Sequence, residues 1–384
     1  MTEDPGQQAI EPPPLFQLTW SQTYLVSMEP ITAPAAKSNN GNAAHPTPEM
    51  IMKIGMGFWA SKILLTAVHF ELFTQLAAKG GMGAAEVKRT LSWGCTDRHA
   101  LDFLDVLTHF GFLERKGLLA DAVYSNGADA DFFLDKKKPA YIGGILEMAN
   151  DRLYPFWGDL NTALRTGQQQ NEAKTGDDFF GALYSDPAKL QGFVNAMAGV
   201  QMGAFMAFAQ NFEWAKHKTL LDIGGSGAHL SLMVAKHQPH MQCTSFDLPP
   251  VLPIAQGNIN HFQLSDRVKP VGGDFFADAF PKADVITMGN ILHDWSEEKK
   301  VTLMRKAYDA LPDGGAFVAI ENVIDNERRQ NVFGLMMSLN MLIETTDGFD
   351  YTFADFERWS AAAGFSRTAL IPLAGPTSAA VAYK

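Results

Sequence analysis

From Lys218 to the C-terminus, short apolar runs alternate with stretches of helical pattern. That alternation narrows the fold more than any other feature of the chain. Strands are expected at 219–223, 243–246, 268–271, 283–288, 316–320 and 379–382, with helices between most of them. Runs this short and this apolar make a parallel sheet covered by helices on both sides. The expected fold class is therefore α/β, a doubly wound domain over 213–384.

Ligands of such sheets sit beyond the carboxyl ends of the strands. The first strand here ends in Asp222-Ile223-Gly224-Gly225-Ser226-Gly227. Small residues let a ligand approach the backbone, and the helix that follows offers free N–H groups. The second strand ends in Phe246-Asp247-Leu248, where an acid can accept hydrogen bonds from two ribose hydroxyls. The third ends in Gly273-Asp274-Phe275, an acid beside an aromatic, which suits an adenine. The fourth leads through Asn290 to His293 and Asp294. A phenol, with a pKa of about 10, is a poor nucleophile at neutral pH. An imidazole at His293 can take its proton as the new bond forms. That imidazole needs a partner to fix its tautomer. Glu321, closing the fifth strand, is the first candidate and Asp350 the second.

The remainder of the chain reads as three pieces. Residues 1–47 hold seven prolines and an Asn-Asn-Gly-Asn run, as a disordered or docking arm would. Residues 48–138 follow the order helix, helix, helix, hairpin of a winged helix. Phe58, Ile63, Leu64, Ala67, Val68, Leu72 and Leu76 recur at helical spacing, 82–91 is a short second helix, and Thr96 caps a third that ends at Gly111. That third helix sets Asp97, Asp102 and Asp105 against Arg98, so it would repel phosphate; the module is expected to dimerise rather than bind DNA. Residues 139–212 form a helical linker and lid, rich in Gly, Ala, Met and Phe, where Trp157 and Phe180 are candidates to stack on a flat acceptor.

Composition removes several classes. A net charge of -11 disfavours a nucleic-acid partner. Cys95 and Cys243 cannot make a disulfide framework, which points to a reducing, cytoplasmic setting, and no cluster at metal-ligand spacing is seen. The first 25 residues lack the basic start and apolar core of a signal peptide. Lys53, Lys62, His69 and Glu71 interrupt the apolar N-terminal stretch, so no membrane-spanning helix is expected.

Six motifs come in one order: the Gly-Gly-Ser loop, Phe246-Asp247-Leu248-Pro249, Gly273-Asp274-Phe275, Leu292-His293-Asp294-Trp295, Leu311-Pro312-Asp313-Gly314-Gly315 and Ser338-Leu339-Asn340-Met341-Leu342. Over roughly 50–384 the chain resembles the small-molecule O-methyltransferases that include the caffeate and hydroxyindole enzymes. The resemblance implies a Rossmann-like domain that binds S-adenosyl-L-methionine, a winged-helix domain that makes a homodimer, and methyl transfer to a small acceptor without a metal. It makes His293 the proton acceptor, followed by Asp294, with Glu321 and Asp350 as the acids that steady it. It places Asp247 on the ribose, Gly225 in the cofactor loop, Gly273, Asp274 and Phe275 on the adenine side, and Tyr184 over the methionine end. It assigns Met197 and Met341 to the acceptor pocket. Departures from the family pattern fall at Ser226 and Ala228, where glycine is more common, and at Gly289 and Asn290, where relatives often carry a cation. Ala228 is expected to narrow the cofactor pocket. Two other readings stay open: a non-methylating step, pericyclic or decarboxylating, on the same scaffold, and a winged-helix DNA-binding regulator.

Overall fold

The computed structural model describes residues 46–138, 140–172 and 186–384. Nearly all of the arm expected over 1–47 lies outside them, as do Phe180 and Tyr184.

The N-terminal third is helical with a small sheet. The apolar stretch expected as one helix is three, Glu49–Gly55, Gly57–His69 and Leu72–Lys79, with Glu71 in the left-handed region at φ 53° between the last two. Met82–Gly83 is a short strand, β1, rather than the start of a helix; the helix begins at Ala84. Thr96 does cap the next helix, Asp97–His109, by accepting from the His99 N–H at 3.3 Å. A hairpin follows, of β2 (Leu113–Lys116) and β3 (Val123–Asn126), and the three strands pair antiparallel in the order β1-β3-β2. Val68, Leu72, Phe73, Leu76, Val87, Leu104, Leu107 and Tyr124 form their shared core.

The first two of these helices keep little of their apolar surface inside. Ile51, Met52, Ile54, Phe58 and Trp59 are all at least half exposed. By length and composition alone, Glu49–His69 and Lys189–Asn211 could each cross a membrane. The expectation that no segment could is corrected on that point: isolated lysines do not break the run. Lys189–Asn211 has a different use for its apolar side chains, because Ala204, Phe205, Phe208 and Ala209 pack in the C-terminal core.

The C-terminal half is one seven-stranded sheet. Its strands are β4 (Thr219–Ile223), β5 (Gln242–Asp247), β6 (Val268–Gly272), β7 (Val285–Gly289), β8 (Ala316–Glu321), β9 (Arg367–Pro372) and β10 (Ser378–Tyr383). They lie in the order β6-β5-β4-β7-β8-β10-β9. Alternation along β8 shows how both faces are filled. Ala316, Val318 and Ile320 join the core under the helices Pro187–Asn211 and His229–His237. Phe317 and Ala319 join the opposite core, with Leu303, Met304, Phe356 and Trp359. The sheet is mixed rather than wholly parallel, since β10 runs antiparallel to both β8 and β9. The short link from β9 to β10 permits only a hairpin. β9 was not among the expected strands; it is a half-exposed edge in which Ala369-Leu370-Ile371 is the only apolar run before Pro372.

Chain order reverses between β4 and β7, which are hydrogen-bonded neighbours. A crevice opens at such a switch point, beyond the carboxyl ends of the strands. The glycine loop and the His293 loop meet there.

Candidate active site

The cavity at the switch point has a volume of about 380 Å³. Its floor is set by backbone. Gly224 and Gly225 both donate to the Phe246 carbonyl, at 2.8 and 3.2 Å, which folds the loop back over β5. A Cβ on Gly225 would meet Ser245 Oγ at 2.2 Å, so the floor has no room for a side chain. The Asp247 carboxylate accepts from the N–H groups of Ser226 (2.8 Å) and Leu248 (2.7 Å). Burial still pushes it up to about 6. Asp222 accepts from the Thr287 hydroxyl at 2.8 Å, and burial, with Asp247 adding, pushes it up to about 7.

Asp222, Gly224, Gly225, Asp247, Leu248, Asp274, Phe275 and Asn290 all line this cavity. Gly273 does not; its Cβ position faces the Phe246 ring at 2.3 Å. Asp274 Oδ1 accepts from the Phe276 N–H at 2.7 Å, which turns the chain and presents Phe275 beside Phe276 and Trp295.

The opposite wall carries His293. His293 is 5% exposed and lines the cavity. Its Nδ1 faces Asp350 Oδ1 at 3.3 Å, and its Nε2 faces Asp294 Oδ1 at 3.5 Å. Glu321 has another task than the one expected first. Its Oε1 accepts the backbone N–H groups of Ile291 (3.1 Å) and His293 (3.2 Å). Glu321 thus shapes the loop, while Asp350 meets the ring. Burial pulls the imidazole down, but Asp350 and Asp294 pull harder and Glu321 adds, so His293 is held up at about 10. Asp294 is pushed up to about 7, first by burial, with His293 opposing.

Met197 and Met341 line the cavity together with Ile145, Met148, Phe193 and Met337. Trp157 does not line it. Its indole N–H donates to Asn340 Oδ1 at 2.9 Å and so braces a residue that does. The Arg152 guanidinium reaches Glu344 at 2.9 Å and Glu172 at 2.5 Å.

Comparisons with known proteins place this architecture. The model of the O-methyltransferase domain matches residues 157–366, and that of the O-methyltransferase dimerisation domain matches 52–136. The tetracenomycin polyketide synthesis 8-O-methyl transferase of Streptomyces glaucescens is 36% identical, over 88% of this chain and 97% of its own. The chain belongs to the S-adenosylmethionine-dependent O-methyltransferase family. The 3-hydroxy-5-methyl-1-naphthoate 3-O-methyltransferase of Streptomyces sahachiroi is 28% identical, over 86% of this chain and 92% of its own. The solved structure of human N-acetylserotonin methyltransferase in complex with S-adenosylmethionine superposes with a TM-score of 0.80 at 25% identity, covering 89% of this chain and 99% of that one.

The floor of this methyltransferase fits its cofactor on physical grounds. A buried acid aligned by two N–H groups suits a diol. Among the described residues the cavity is lined by the carboxylates of Asp222, Asp247, Asp274, Asp294 and Glu344 and by Arg152 as the one constant cation. That surplus suits a positively charged molecule.

The departures take physical form here. Ser226 and Ala228 both adopt left-handed backbone, at φ 50° and 63°, a region glycine occupies without strain. Ala228 does not narrow the pocket, because its side chain is fully buried in the core beneath the loop. A side chain at Gly289 would meet Gln201 Oε1 at 3.2 Å and Phe205 at 3.3 Å. In this enzyme the helix Pro187–Asn211 occupies that space.

Two residues that shape the site were missed. His229 opens the helix after the glycine loop, lines the cavity, and is pushed down to about 4 by burial. Lys300 is fully buried under the His293 loop. A signal for it existed: Lys300, Leu303, Met304 and Ala307 share the spacing of a buried helical stripe.

Proposed function

We propose that this O-methyltransferase acts on a hydroxyl of a small, flat, aromatic acceptor, with His293 as general base. The contact between His293 Nδ1 and Asp350 carries the reading. It fixes a proton on Nδ1 and leaves Nε2 facing the cavity as the acceptor of a proton. S-adenosylmethionine supplies a methyl group on a sulfonium that leaves as a neutral thioether. The chain's own residues align the acceptor oxygen, receive its proton at Nε2, and hold the resulting imidazolium against Asp350 and Asp294.

With its carboxylates alone, His293 holds a proton near neutrality. A cation in the same cavity favours the neutral ring. Turnover is therefore expected to rise with pH as the imidazole gives up its proton. The apolar acceptor wall, with Met197, Met341 and Phe193, suits a flat ring system. The hydroxynaphthoate acceptor named for the Streptomyces sahachiroi relative supports the same class. The exposed apolar surface at Met52, Ile54, Phe58 and Trp59, within the matched dimerisation domain, supports a homodimer. The acidic helix Asp97–His109 spends Arg98 on Asp102, which disfavours a DNA role.

The test is turnover of hydroxynaphthalene acceptors with S-adenosylmethionine, read as S-adenosylhomocysteine formed. A product methylated on oxygen is expected. A product methylated on carbon or nitrogen would contradict the reading.

A further inference from the structure

Lys300 is the one lysine buried to 0% exposure among the described residues, and its surroundings are not those of a surface cation turned inward. It sits in the first turn of the helix Glu297–Ala310, directly after the His293 loop. Its ammonium donates to the Trp295 carbonyl. The same ammonium lies 3.5 Å from the centre of the Phe349 ring, and within 6 Å of the rings of Tyr351 (5.9 Å) and Trp359 (5.6 Å). Trp295 follows His293 and Asp294 on one segment; Phe349 and Tyr351 flank Asp350 on another. One side chain therefore ties together the segment that carries the base and the segment that carries its carboxylate.

The charges around it are lopsided. Asp350 and Glu321 are buried on this side, Asp294 is half-buried, and Asp347, paired with Lys299 at 3.7 Å, lies further out. Among the described residues, Glu321 Oε2 and Asp350 Oδ2 are buried without hydrogen-bond partners. From the packed helix Phe353–Ala363, Arg358 lies over Trp359 but is engaged with Glu297 and Asp355. The Tyr351 phenol stays protonated, because burial and Glu321 raise it well above its ordinary value. Lys300 is thus the buried ammonium that faces the acidic cluster from within. Burial pulls Lys300 down to about 8, and the carboxylates oppose that fall.

We propose that Lys300 is a positioning residue for the methyl transfer: its buried ammonium clamps the His293 and Asp350 segments together and, by repelling the imidazolium, keeps His293 able to lose its proton. The inference rests on His293 being the base. The helix face explains why the position is occupied at all. An apolar residue would fill the stripe and join the two segments by packing, but it would leave the carboxylates of Asp294, Glu321 and Asp350 facing one imidazole, which would then hold its proton more tightly.

The experiment is the pH dependence of turnover for Lys300→Met, Lys300→Gln and Lys300→Arg in the full chain. For Met and Gln the rising limb should move up by about one pH unit, so that activity near neutrality falls about 10-fold and recovers at high pH. Lys300→Arg should keep the limb near its original place. Affinity for S-adenosylhomocysteine, read by calorimetry, should stay unchanged in all three. A uniform loss across pH, or an unmoved limb in folded Met and Gln variants, would overturn the proposal. Loss of the folded state in all three variants would assign Lys300 to the core alone and overturn it too. Failure of the base itself is told apart by His293→Ala: if that variant turns over normally, the reading beneath falls; if it is inactive while the Lys300 profiles do not move, only the clamp falls.

Discussion

Two walls of one cavity handle buried charge in opposite ways. On the floor, Asp222 and Asp247 are held by neutral donors: a threonine hydroxyl and two backbone N–H groups. Both acids are pushed up by burial, and neither has an ion-pair partner among the described residues. On the far wall, Glu321 and Asp350 are as deeply buried and Asp294 is half-buried, yet His293 and Lys300 stand among them. The floor is left short of positive charge, which a cationic ligand can complete. The wall brings its own, which lets it exchange a proton without collapsing. A buried acid that lacks a counter-charge thus marks a binding surface, and one that has it marks a place where charge moves.

The largest expected effect lies on the wall. His293→Ala should cut turnover by about 100-fold or more while affinity for the cofactor, read by calorimetry, stays the same. If affinity falls as far as turnover, the two walls are not separate.

The wall also divides within itself. Asp350→Asn should lower turnover about 10-fold or more and move the rising limb of the pH profile to lower pH, because a negative charge beside the imidazole is gone. Glu321→Ala should act on the fold instead. It strips the acceptor from two backbone N–H groups, at a cost of about 2–3 kcal/mol seen in denaturant unfolding. Equal pH shifts in both variants would erase the distinction.

On the floor the predicted change is a gain in stability. Asp222 has a folded value of about 7, above its ordinary 3.8, so its charged form is disfavoured in the fold. Stability is then lost as pH rises from about 4 through 7. Asp222→Asn stays neutral and should unfold like the parent near pH 4, but be more stable by about 1–2 kcal/mol at pH 8. A gap independent of pH would contradict this. Smallest of all, Ser226→Gly should relieve left-handed strain by less than about 1 kcal/mol, visible as a slight rise in Tm.

The same contrast decides what could be read from sequence. The floor is local. Asp222 and Asp247 lie at the ends of their own strands, and the glycines and Asp274 follow theirs by a residue or two, so the alternation of strands and helices was enough to bring them together. The wall is assembled from β7, β8 and the segment before Phe353–Ala363, and no spacing says which carboxylate meets which nitrogen. Glu321 and Asp350 were both found, with their tasks in the wrong order: Glu321 serves the backbone and Asp350 the ring. Lys300 was hidden by composition, in a Glu-Glu-Lys-Lys run that looks like a solvated helix start. The strand expected at 379–382 is β10, but its antiparallel direction and the edge strand β9 were not foreseen, since pairing direction is fixed by the β9–β10 link and not by apolar pattern.

The central claim is that His293 removes the acceptor's proton during methyl transfer. It is tested most directly by single-turnover rates of the parent enzyme and His293→Ala across hydroxynaphthalenes of graded acidity. The account predicts a large deficit for weakly acidic acceptors that shrinks steadily as the acceptor ionises by itself. A deficit of the same size for every acceptor, or none, would contradict it.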